Sequence, residues 1–179
     1  QWFNNSASAE QSFVRGVWYF GFYIMSPAGC EYLKKPEEKF CLDIGYGGGR
    51  LLNAARMSFK HAYGVDVHPF QETVTAKLLE RSPIRNFTLF HLDSSRIPLD
   101  DGSLDYVYSF IVIQHFYSLR ILQDYLKEAS RLLKPGGLVN LYFADTAKYK
   151  PMLSRDYLRG VVKGIIQLSQ PPDAVTAYN

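Results

Sequence analysis

A chain of 179 residues has room for one domain with a substantial core and little more. With 47% hydrophobic and 21% charged residues it is not a disordered segment, and its net charge of +3 comes from scattered Lys and Arg, which gives no nucleic-acid signature. Cys30 and Cys41 lack a CxxC spacing or a paired framework, so they are expected to be reduced thiols in a cytoplasmic protein.

The first predicted element is a helix over residues 9–25. Ser8-Ala9-Glu10-Gln11 has the form of a capping box, and Phe13, Trp18, Tyr19, Phe22 and Tyr23 cover more than one face, as in a helix held between two surfaces. The apolar run at 16–25 is about half a membrane span and stops at Ser26-Pro27, so no membrane span is expected. A polar "KKPEEK" leads to a buried strand over 40–44, a glycine loop and a helix over 50–59. "HAYGVD" at 61–66 is a second strand, and "PFQETVTAKLLERS" a helix opening at Pro69. "FTLFHLD" at 87–93 and "LDYVYSFIVI" at 104–113 read as strands. Ser118 caps an amphipathic helix that Pro135-Gly136-Gly137 should stop, and "LVNLYFA" at 138–144 is a fifth strand. Such alternation predicts an α/β, Rossmann-like three-layer sandwich with a mostly parallel sheet.

In such sheets ligands bind beyond the carboxyl ends of the strands, where the winding reverses. The loop Gly45-Tyr46-Gly47-Gly48-Gly49 lies at that edge, and Asp43 sits two residues before it. A dinucleotide fingerprint would place its third glycine where Arg50 stands, and a carboxylate would repel a pyrophosphate. Asp43 instead suits a ligand with a cationic end.

Four segments in order over residues 39–144 resemble the class I S-adenosylmethionine-dependent methyltransferases: "LDIGYGGGR", "GVDVHP", "HLDSSRIPLDDGSLDYVYS" and "LLKPGGLVNLYF". The resemblance implies S-adenosylmethionine as cofactor. By it, Asp43 organises the methionine end and Gly45, Tyr46 and Gly47 line the cofactor. Asp66 accepts from the ribose hydroxyls, Val67 lies on the adenine face, and Asp93 with Ser94 meets the adenine edge. Ser109, near the end of the fourth strand, joins this set, while Asp105 is expected to be structural. The family finishes with two further strands, often after an acidic-Ala-Gly-Phe turn that is missing here. The chain is therefore expected to lack them, as a piece of a longer protein or as an open five-stranded sheet whose exposed edge favours self-assembly or further domains.

Methyl transfer to a hydroxyl needs a base beside the reacting carbon. His115, after the fourth strand, is the imidazole in that stretch, with Gln114 to orient substrate or cofactor; equally it is a helix-entry histidine satisfying a backbone carbonyl. His61 reads as a strand-edge residue, His91 as a core or strand-edge one, and His68 as part of the adenine rim. No cluster has metal-ligand spacing, so no metal is expected. The aromatic helix makes residues 1–38 a lid segment on a cofactor-binding domain at 39–179, where Trp18, Tyr19, Phe22 and Tyr23 roof an acceptor pocket, form core, or bind a partner. The absence of NPPY-like and paired-glutamate motifs leaves a small-molecule acceptor, with a sugar or metabolite hydroxyl foremost. Rivals are a tRNA or protein methyltransferase, a nucleotide-dependent oxidoreductase, and a catalytically silent binding domain.

Overall fold

The computed structural model describes residues 8–25 and 33–142. Cys30, the segment after Tyr142 and the two further strands discussed above lie outside the described residues. The elements are α1 (Ala9–Tyr19), β1 (Phe40–Ile44), α2 (Arg50–Ser58), β2 (His61–Asp66), α3 (Gln71–Leu79), β3 (Phe87–His91), β4 (Leu104–Phe110), α4 (Leu119–Leu132) and β5 (Leu133–Tyr142). The five strands form one sheet in the order β3-β2-β1-β4-β5, with every pairing parallel. The order reverses between β1 and β4, and their carboxyl ends frame the crevice that the strand–helix alternation predicts.

Strand alternation sorts the side chains into two cores. Cys41, Tyr106 and Tyr108 face one side, packed with Phe20 of the N-terminal segment, Leu52 of α2, Phe59 just after it and Leu79 of α3. Leu42, Ile44 and Val107 face the other, under Tyr125, Ala129 and Leu132 of α4. Burial on both faces explains why these strands read as near-continuous apolar runs. The loop between β3 and β4 has no helix; instead Arg131 of α4 donates to the carbonyls of Ile97 and Leu99 and pairs with Glu128, which accepts from the Ile97 amide. One desolvated ion pair thus pins a long connection against the sheet.

Several boundaries differ from expectation; β3 stops at His91 rather than Asp93. The N-terminal helix is α-helical only to Tyr19, then widens to one π-helical turn over Phe20–Ile24. That turn buries Phe20 and Ile24, and Tyr106 Oη donates to the Ile24 carbonyl at 2.7 Å. Its far side, with Trp18 and Phe22 stacked on each other and 62% and 67% exposed, meets no second surface among the described residues. The helix after β2 starts at Gln71, two residues beyond Pro69. β4 ends at Phe110 rather than Ile113, because Ile111 takes a left-handed conformation (φ +54°) that ends the ladder. A β-branched residue there is strained by about 1–3 kcal/mol. Finally, α4 ends at Leu132 and Leu133 already pairs with Leu104, while Tyr106 pairs with Leu138, so Pro135-Gly136-Gly137 form an irregularity within β5 rather than a gap before it.

Candidate cofactor site

β1 delivers the loop directly to the crevice. Gly45 has φ +81°, and a Cβ there would lie 2.5 Å from Cγ2 of Val112, so only glycine lets the β1 and β4 ends close over each other. The loop is held from beyond its own strand. The Gly47 amide donates to Asp66 Oδ2 at 2.9 Å, and its carbonyl accepts from Gln71 Nε2 and Thr75 Oγ1, both at 2.7 Å. The loop is thus set by β2 and α3 before any ligand arrives, a preorganisation that lowers the cost of binding.

Asp43 is 3% exposed. Burial first, and then the nearby Asp66, raise its pKa to about 7, while Tyr108 and Arg50 act in the opposite direction. The Tyr108 phenol stands beside it, in register on β4, without closing a well-aligned hydrogen bond. Tyr46 is also buried, its ring against Gly64 and its hydroxyl without a hydrogen-bond partner. Two unsatisfied phenols and a carboxyl held near neutrality are costly arrangements in a plain core.

Asp66, at the carboxyl end of β2, accepts from the Gly47 amide through one oxygen and from the His68 amide, at 3.0 Å, through the other. Each oxygen keeps a lone pair for a further donor. Val67 is 54% exposed next to it, and the side chain of Asp93 is 95% exposed at the rim, 3.9 Å from His91 Nε2. Ser94 Oγ accepts from the Arg96 amide. Ser109 is buried on the α4 side, where its Oγ donates to the Ile44 carbonyl at 2.9 Å and lines a narrow apolar crevice with Ile113, Phe116, Tyr125 and Leu141. His115 lies on the 3-10 turn Ile113–His115, its amide bonded to the Val112 carbonyl and its Nε2 3.5 Å from Gln114 Nε2. Asp105 takes the Phe40 amide and Lys134 Nζ at 2.9 and 2.8 Å, a strand-tying role at the opposite end of the sheet.

The aromatic helix divides in a way its spacing did not show. Tyr19 and Tyr23 pack against Phe110, and Tyr23, still 39% exposed, also meets Tyr142, which stacks on Phe110. This wall stands at the carboxyl ends of β4 and β5. Arg50, the first residue of α2, lies against it, its guanidinium 5.0 Å from the Tyr19 ring centre and 5.7 Å from that of Phe110.

The fold defines a Rossmann-like α/β domain with a crevice at the carboxyl ends of β1 and β4. Residues 42–141 match the family model described as a methyltransferase domain, and the chain belongs to the class I S-adenosylmethionine-dependent methyltransferase family. It is 31% identical over 136 residues to the Mus musculus tRNA (carboxymethyluridine(34)-5-O)-methyltransferase ALKBH8, a match covering 75% of this chain and 19% of that protein. It is 26% identical over 152 residues to the demethylmenaquinone methyltransferase of Tropheryma whipplei, covering 84% and 61%. A solved SAM-dependent methyltransferase from Aquifex aeolicus superposes with a TM-score of 0.64 at 16% identity, over 82% of this chain and 81% of that one. The chain thus spans about a fifth of the mouse relative and three fifths of the Tropheryma one. Among the described residues no helix is long and apolar enough to cross a membrane.

Proposed function

We propose that this domain transfers the methyl group of S-adenosylmethionine, by in-line displacement, to a hydroxyl oxygen of a small molecule. The observation that carries the reading is Asp43, a carboxyl buried to near-neutrality at the mouth of a preset glycine loop. The residues fit this cofactor: Asp43 takes its positive end, Asp66 the ribose hydroxyls, Val67 one adenine face, and Asp93 with Ser94 the adenine edge. Bound there, S-adenosylmethionine supplies an electrophilic methyl carbon. Alignment of nucleophile, carbon and sulfur then carries much of the rate. The acceptor lies against the wall of Tyr19, Tyr23, Phe110 and Tyr142, which suits a flat or ring-bearing molecule. His115, on the turn after β4, removes the acceptor proton, and Gln114 steadies the imidazole.

Titration calorimetry tests the cofactor: S-adenosylhomocysteine binds and NAD does not, and the reverse result overturns the reading. Asp66→Ala should weaken S-adenosylhomocysteine by about 1–3 kcal/mol, through lost ribose contacts and a released Gly47 amide. Wild-type affinity in that variant would remove Asp66 from the ribose. For His115→Ala we expect turnover to fall by about 100-fold or more with cofactor affinity unchanged, read by initial rates with the best acceptor from a panel of sugar and metabolite hydroxyls. Equal turnover would leave His115 a turn residue. The mouse relative's name gives the second reading, a tRNA acceptor, and an undermodified tRNA belongs in the same panel. Methylation of that RNA alone would replace the small-molecule reading.

A further inference from the structure

Arg50 is a half-buried cation set into the aromatic wall. Its guanidinium lies 5.0 Å from the Tyr19 ring centre and 5.7 Å from that of Phe110, and those two rings stand 5.6 Å apart. Among the described residues it makes no hydrogen bond and no ion pair, and ring contacts hold a cation without satisfying any of its five N–H donors. Its place is nevertheless fixed, because Gly16 of α1 packs directly on the Arg50 backbone and Tyr19 follows one turn later. The far end of the wall is open: Tyr23 and Tyr142, with ring centres 4.6 Å apart, are each more than a third exposed. Phe110 touches Arg50 on one side and both of these rings on the other, so the unsatisfied cation and the open aromatic face are one ring apart.

A desolvated cation calls for an anion, and an open face of rings calls for a flat apolar body. Both demands lie on one surface, so a single molecule can meet them together. We propose that Arg50 is a specificity-determining residue of the acceptor pocket, taking a carboxylate borne on a flat ring that lies against Tyr23 and Tyr142. This rests on the placement of the acceptor argued above, and it narrows the acceptor from any small hydroxyl compound to a ring-bearing acid. The guanidinium fork matches the two oxygens of a carboxylate, and its donors are unused in the protein itself. One cation at the end of a loop tied to the Asp66 carboxylate suits a monoanion better than a phosphate dianion. The amide of the same molecule would leave Arg50 without its counter-charge and forfeit the charge-assisted bonds.

The test uses isosteric pairs that differ in charge alone: benzoate and benzamide, 4-hydroxybenzoate and 4-hydroxybenzamide, phenylacetate and phenylacetamide. Each is titrated by saturation-transfer NMR into the full chain, with and without S-adenosylhomocysteine. In wild type at least one acid should bind about 10-fold or more tightly than its amide, the scale of a charge-assisted pair. In Arg50→Met that acid and amide should come within about twofold of each other, and Arg50→Lys, which keeps the charge but not the fork, should fall between. Tyr23→Ala should weaken acid and amide alike and keep their ratio, a separation that a merely structural Arg50 would not produce. S-adenosylhomocysteine affinity, read by calorimetry, should stay within about twofold of wild type in Arg50→Met. Wild type that prefers no acid over its amide, or a preference that survives Arg50→Met, would overturn the proposal. So would an Arg50→Met variant that loses S-adenosylhomocysteine, which would return the anion to the cofactor. If Arg50→Met does not fold, Arg50→Lys decides, and an undiminished preference there overturns the proposal. Wild type that fails to bind S-adenosylhomocysteine removes the cofactor reading alone, since the acid-to-amide ratio is also read on the ligand-free chain.

Discussion

Asp43→Asn is expected to make the ligand-free protein more stable at pH 8 and to cripple cofactor binding. An ordinary aspartate titrates near 3.8; here burial and the neighbouring Asp66 carry the group to about 7. Because the folded state holds its proton more tightly, the contribution of Asp43 to stability is complete below pH 3.8 and is lost as pH rises through 7. At pH 8 the ionised carboxylate works against the fold, by at most about 4 kcal/mol for a shift of roughly three pK units. An amide must still be buried, so about 2 kcal/mol should be recovered. Urea denaturation should show that gain at pH 8 and almost none at pH 5, where wild-type Asp43 is already neutral.

Binding should run the other way. A cationic ligand end draws Asp43 to its ionised form, so wild-type affinity for S-adenosylhomocysteine should drop about tenfold for each pH unit well below 7. The asparagine variant should bind about 10- to 100-fold more weakly at pH 8, with that Asp43-linked slope removed. A wild type whose stability does not change between pH 5 and 8, matched by an asparagine variant of equal stability, would show a solvated carboxylate and remove the basis for a charge-reading loop.

The sheet was legible because its strands are short apolar runs separated by helical periods, and parallel pairing needs little else. Asp43 and Asp66 were legible for the opposite reason: carboxylates at the ends of such runs are out of place in a core and must answer to something. Arg50 was visible only as a missing glycine. Its surroundings come from Tyr19 on α1, Phe110 on β4 and Asp43 on β1, and no local spacing encodes their meeting. Ile111 was misread for a related reason. "SFIVI" is strand by composition, yet Ile111 is left-handed and the Val112 side chain packs onto Gly45. Tyr46 and Tyr108 could be placed in the strands and loop, but not recognised as unsatisfied, since that depends on every neighbour at once.

Gly16→Val should be the most disruptive single change outside the crevice. A Cβ at Gly16 would stand 2.1 Å from the Arg50 carbonyl oxygen and 2.6 Å from its carbonyl carbon. Both are backbone atoms at the head of α2, so no rotamer change relieves the contact; α1 or the loop must move. Overpacking of this kind costs about 3 kcal/mol or lifts the helix away. Lifting would draw Phe20 and Ile24 from the core, break the Tyr106-to-Ile24 hydrogen bond, and take Tyr19 off the guanidinium. Gly21 supplies the control on the same segment: a Cβ there meets nothing within 4 Å, so Gly21→Ala should be neutral or slightly stabilising. The urea midpoint should fall sharply for the first variant and not for the second, and hydrogen exchange over residues 9–24 should rise only in the first. Equal behaviour of the two would mean that α1 is not seated by its contact with the glycine-loop helix, and that Arg50 must find its place without it.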